Sequence, residues 1–201
     1  MHSPCFGVGI CLQSMATIDI DYRQLFFNHY RLNMAVSDPT KLMLGIGEYG
    51  ATIAVGGVVK TMALGSCIAL IIMDRGTRCV GMDHIALPES MVSPERAKQL
   101  PGYFADTGIP ALMEHMKKVG GALSKPSNLI VKIAGGANVA DPNNTFNIGK
   151  RNVLAAKKVL WQFGLGPMAE DVGGSHSRTV TMYRDTGRVM LSCPGRPDWE
   201  L

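Results

Sequence analysis

The sequence predicts an α+β fold: a layered β-sheet or sandwich core with two main amphipathic helices packed outside it. Three observations predict it. Short apolar or alternating runs bounded by Gly, Asp, Asn and Pro recur along the chain and outnumber the helical patterns. Several of these runs are separated by turn clusters short enough for hairpins. Sustained apolar spacing of the helical kind, over several turns, is confined to residues 104–119 and 148–163.

Taken in order, residues 1–42 read as an N-terminal extension. Tyr22, Leu25, Phe26, His29 and Tyr30 recur there at helical spacing, which predicts a short helix over 21–33 or a flexible arm. The main domain is expected over 43–192. Strands at 42–46 and 51–55 flank Gly45-Ile46-Gly47-Glu48-Tyr49-Gly50, a literal GxGxxG. No helix pattern follows it, so its glycines are assigned to a tight turn rather than to a nucleotide site. The apolar run 68–73 and the run 78–87 flank Asp74-Arg75-Gly76-Thr77 and read as a hairpin. With Arg75-Gly76 at its tip, Cys67 would stand opposite His84, their Cβ atoms about 4.5–5.5 Å apart. Arg-Gly is not a favoured two-residue turn, and a longer loop would move the register.

Residues 88–101 read as a polar loop with a helical turn at 94–99. In the helix at 104–119, Ile109, Leu112, Met113, Met116 and Val119 form the apolar stripe, with Asp106 or Thr107 as cap. A strand at 128–134 runs into Gly135-Gly136, where missing side chains let another backbone or a ligand approach. The second helix, 148–163, turns Val153, Ala156, Leu160 and Phe163 inward and stops at Gly164. A strand at 168–172 leads into Gly173-Gly174. Residues 179–183 and 188–192 flank Asp185-Thr186-Gly187 as a second hairpin. The tail, 193–201, contains Pro194 and Pro197 and is expected to be loose.

Composition bounds the function. At 201 residues, 46% hydrophobic and 18% charged, the chain can bury a substantial core. A net charge of +4 without any dense Lys/Arg run argues against nucleic-acid binding. Five cysteines, with no CxxC pair, fit a reduced cytoplasmic chain better than a disulfide framework or a metal site. The most apolar stretch, 54–73, is broken by Gly56-Gly57, Lys60, Thr61 and Gly65-Ser66, so buried strands are expected there rather than a membrane insertion. The first fifteen residues lack the basic start of a signal peptide.

Cys67 and His84 are the candidate reactive pair. An unperturbed thiol is only about 3% thiolate at pH 7, so a catalytic cysteine needs a base or a cation beside it. Gly65 and Ser66 give the chain a sharp turn just before Cys67, and backbone N–H groups there can face an oxyanion. Cys79 has the wrong parity to share a face with His84. Cys5, Cys11 and Cys193 lie in segments expected to be mobile, and Ser66 does not fit a GxSxG elbow. The pattern alone is equally compatible with Cys67 as a small buried strand residue and His84 as an ordinary edge histidine.

Seven stretches, in order, tilt this balance: Leu64-Gly65-Ser66-Cys67 with Thr61 ahead of it, His84-Ile85-Ala86-Leu87-Pro88, 105–112, 132–137, 148–153, 169–174 and 185–189. Together they resemble the CheD family of chemoreceptor glutamine deamidases. The resemblance implies a layered fold related to the catalytic domains of deamidating toxins. It also implies a catalytic set of Cys67, His84 and Thr61, with no metal or organic cofactor. Gly65 and Ser66 would support the oxyanion, and Gly135, Gly136, Gly173 and Gly174 would border the substrate. The implied substrates are glutamines on the cytoplasmic helices of methyl-accepting chemoreceptors, with a CheC-like phosphatase as a further partner. Asp83 before the histidine, Ser175-His176 and Asn138-Val139 depart from the family pattern. The competing readings are a non-catalytic module that docks on CheC-like or receptor helices, and a methylesterase or toxin-like deamidase using the same thiol.

Overall fold

The run Ile68–Met73 is apolar at every position, and it forms the centre of the protein. In the computed structural model, which describes residues 40–139 and 145–201, strand β4 (Ile68–Asp74) is buried along its whole length. A strand with no polar alternation must be covered on both faces. Ile68, Leu70 and Ile72 point into one apolar cluster with the helices, and Ala69, Ile71 and Met73 point into another between two sheets.

The layers follow from that strand. One sheet has the order β2 (Tyr49–Thr52), β5 (Val80–Ile85), β4, β6 (Leu129–Gly135), β7 (Ala169–Val172). The other runs β1 (Lys41–Leu44), β3 (Val58–Leu64), β8 (Arg178–Tyr183), β9 (Val189–Cys193), β10 (Arg196–Glu200). Helices α2 (Ala105–Lys118) and α3 (Ile148–Gln162) pack on the β4 sheet, opposite its contact with the second sheet, and a short α1 covers Pro94–Gln99. This is the predicted α+β class. Among the described residues no helix is long and apolar enough to cross a membrane. The expected helix at 21–33 lies outside the described residues.

Both main helices bury the faces their spacing predicted, with adjustments at the ends. Phe104, not Asp106 or Thr107, occupies the α2 N-cap. Asp106 instead accepts from the Ser90 N–H and hydroxyl, and Thr107 donates to the Pro101 carbonyl at 2.6 Å. In α3, Phe163 is exposed at the C-cap rather than buried. Gly164, at φ 67°, ends the helix as expected, with Leu165 N–H bonded back to Leu160 O.

Two further expectations need correction. The β4–β5 loop is longer than a two-residue tip: the Asp74 carbonyl accepts from Arg78 N–H, and the Asp74 carboxylate gathers Gly76 N–H and the Thr77 hydroxyl. The register is therefore displaced by two residues, pairing Ala69 with His84 and Ile68 with Ile85, so Cys67 does not stand opposite His84. The segment expected as a loose tail, 193–201, is the edge strand β10. It pairs antiparallel with β9 and is anchored by Trp199, whose indole N–H donates to Asp171 at 2.7 Å.

Candidate active site

A displacement of two residues leaves every side chain on its original face, because the period along a strand is two. His84 still points between the sheets, as does Cys67, which packs against the inter-sheet cluster just ahead of β4. Cys79 faces the helix side, as its parity required; burial pushes its thiol up to about 11. Cys193 is half-buried at the end of β9. Cys5 and Cys11 lie outside the described residues.

Thr61 reaches His84 from the opposing sheet. Its hydroxyl lies 2.6 Å from His84 Nδ1 and 2.8 Å from the Leu44 carbonyl. The hydroxyl has one proton and the carbonyl can only accept, so that proton goes to Leu44. Nδ1 must then donate its own hydrogen to Thr61 Oγ1. That fixes the tautomer, leaving the lone pair on Nε2, a buried atom without a hydrogen-bond partner. His84 is 1% exposed, and burial pushes its pKa down to about 4, so the ring is neutral.

A bulge in β3 separates Thr61 from the turn that leads to Cys67. Along β3, Thr61 pairs with Val180 and Leu64 with Arg178, so three steps on one strand match two on the other. Met62 and Ala63 take up the extra residue, Ala63 with φ 58°, and both Thr61 and Leu64 end up fully buried. The chain then crosses to the other sheet through Gly65-Ser66. Its carbonyls are each held: Gly65 O by Ala137 N–H, Ser66 O by the Asn152 side chain, Cys67 O by Gly136 N–H.

The glycine pairs are first of all packing devices. A Cβ at Gly135, at φ 110°, would overlap the Cys67 carbonyl. Gly136 lies against Gly149 of α3, and Gly173 N–H bonds Gly135 O at 2.8 Å. Gly136 and Gly173, with Asn138, Lys150 and Leu154, line a cleft of about 500 Å³. Val139 approaches Gly65 from the same side, exposed like Met62.

Burial raises the pKa of the half-exposed Cys67 thiol, and the residue's own backbone N–H works the other way. The GxGxxG turn also contributes: Gly47 N–H bonds His84 O and Glu48 O accepts from His84 N–H, so the motif clamps the histidine backbone. Sequence reasoning missed Asn152 altogether. A polar residue on the buried face of an amphipathic helix was the available signal. It also did not foresee that Asp83 is fully buried toward α2, wedged against Gly102 and Gly108, with neither carboxyl oxygen hydrogen-bonded.

Fold and side chains thus define a two-sheet α+β protein that presents one thiol and one neutral imidazole to a single inter-sheet space. The chain belongs to the CheD family. The family model described as CheD chemotactic sensory transduction matches residues 86–193, a span that begins after His84. The "Probable chemoreceptor glutamine deamidase CheD" of Syntrophotalea carbinolica is 51% identical over 80% of this chain and 98% of its own. "Probable chemoreceptor glutamine deamidase CheD 2" of Anaeromyxobacter dehalogenans is 46% identical over 74% of this chain and 91% of its own. The "Chemoreceptor glutamine deamidase CheD" of Thermotoga maritima is 40% identical, covering 75% and 90% respectively.

Proposed function

We propose that this protein hydrolyses glutamine side-chain amides on the cytoplasmic helices of methyl-accepting chemoreceptors to glutamate, with Cys67 as nucleophile, His84 as base and Thr61 as the residue that orients the base. The observation that carries the reading is the forced tautomer: Thr61 spends its proton on Leu44, so His84 keeps a free lone pair on Nε2. The names of the similar proteins supply the substrate class.

His84 Nε2 takes the thiol proton as the sulfur attacks the amide carbon. The oxyanion forms beside the turn at Gly65-Ser66, whose N–H groups receive it. The imidazolium, with Nδ1–H held by Thr61, returns its proton to the departing nitrogen, and ammonia leaves a thioester on Cys67. Water attacks the thioester with His84 again as base, which releases glutamate and restores the thiol. The cleft lined by Gly136 and Gly173, and exposed Met62 and Val139, border the approach.

The test is mass spectrometry of receptor fragments incubated with the purified chain, following amide-to-acid conversion residue by residue. Ammonia release should vanish in Cys67→Ala and fall about 10²–10⁴-fold in His84→Gln. A Cys67→Ala protein that still converts glutamine refutes the assignment.

A further inference from the structure

Cys67 precedes β4 and Ala86 follows β5, so neither belongs to the ladder that joins those strands; its last pair is Ile68 with Ile85. Something else must hold the two chain ends together there, and Asn152 does. It is fully buried on α3, and its side-chain nitrogen donates to Ser66 O at 3.0 Å and to Ala86 O at 2.9 Å. Both partners are carbonyls and can only accept, which fixes the amide with its nitrogen toward them. Ser66 is the residue before Cys67, and Ala86 lies two residues after His84. The one NH₂ group therefore ties the nucleophile's segment to the base's segment.

The seat of Asn152 is itself built for close approach. Gly149, one turn earlier on the same helix face, lies against the Gly136 carbonyl, where any side chain would overlap. Gly136 N–H in turn holds Cys67 O. The start of α3, the β6 end and the Cys67 turn form one closed set of contacts.

We propose that Asn152 is a positioning residue for the reaction: its paired N–H donors set the separation of Cys67 from His84. This rests on the reading of Cys67 and His84 as a working pair. The pair does not depend on Asn152 for its chemistry, only for its distance, so loss of Asn152 should lower kcat and leave KM nearly unchanged.

The experiment uses the full chain as wild type, His84→Gln, Asn152→Asp and Asn152→Ser. For each, the thermal midpoint, the rate of Cys67 alkylation by iodoacetamide across pH, and kcat and KM on receptor fragments are measured. Asn152→Asp keeps the shape but loses the NH₂ group; Asn152→Ser keeps a single donor on a shorter arm. Folded Asn152 variants should keep the wild-type alkylation profile, because the resting His84 ring is neutral and Cys67 alkylation follows the thiol's own ionisation. Their kcat should fall about 10–100-fold with KM within about twofold. A kcat within about twofold of wild type in folded Asn152 variants overturns this inference alone. A His84→Gln chain that keeps the wild-type kcat overturns the pair, and this inference with it. Variants that lose the fold altogether make Asn152 a folding residue and overturn the positioning role.

Discussion

Burial acts in opposite directions on the two groups that exchange a proton in the proposed reaction. It pushes His84 down to about 4 and the Cys67 thiol up, so at neutral pH the proposed pair rests as a thiol and a neutral imidazole rather than as an ion pair. Alkylation of Cys67 by iodoacetamide should then climb continuously with pH to beyond the ordinary thiol value of 9.0. A plateau reached below pH 7 in the free enzyme would mean a preformed thiolate–imidazolium pair and would contradict this ordering. Residue types and parity were enough to single out Cys67 and His84, and the resemblance added Thr61. Parity survived a wrong register because the displacement was even. Asn152 was not legible, because its partners lie 86 and 66 residues away and only the packed α3 brings them within reach.

Helix α3 makes a conflict between local and tertiary preference measurable. In an exposed helix, alanine is favoured over glycine by about 1 kcal/mol. At Gly149 the added methyl group would overlap the Gly136 carbonyl, and overpacking against backbone costs about 1–3 kcal/mol. Gly149→Ala should therefore gain nothing from the better propensity and destabilise by up to about 2 kcal/mol net, as read by denaturant unfolding. A more stable variant would mean that the helix start slides off the corner without penalty. The same contrast explains which elements were legible. Helices α2 and α3 and the β8–β9 hairpin carry their periodicity or turn within a few residues. Strand β10 has Pro197 and three charged residues, and only its pairing with β9 and the Trp199–Asp171 bond makes it a strand. Pro and charges are tolerated there because it is an edge. The β3 bulge was equally hidden, since nothing in Met62-Ala63 announces a positive φ.

The described residues place one sheet between a helical layer and a second sheet, and two successive residues of β5 meet those layers with titratable groups. His84 faces the other sheet and Asp83 faces α2; both are buried, and burial pushes the histidine's pKa down and the carboxyl's up. Their effects on stability run in opposite senses. For His84, the unfolded chain takes up a proton near 6.5 and the folded one only near 4. Stability is complete above that window and falls by about 3 kcal/mol as pH drops through it. Burial raises Asp83 well above 3.8, so the unfolded chain releases its proton first, and stability is lost as pH rises from 3.8 toward the folded value. The stability curve is thus squeezed from both sides by neighbouring residues. Replacing the carboxyl with a small apolar group also removes two buried oxygens that lack partners. Asp83→Ala should accordingly gain thermal stability over wild type by an increment that grows as pH rises above 3.8, while the acid-side loss due to His84 stays. A cavity left by the truncation shifts both ends equally, so the slope of the difference carries the information. Parallel curves for the two proteins would mean that Asp83 is ionised in the folded state, with a compensating group inside the α2 layer.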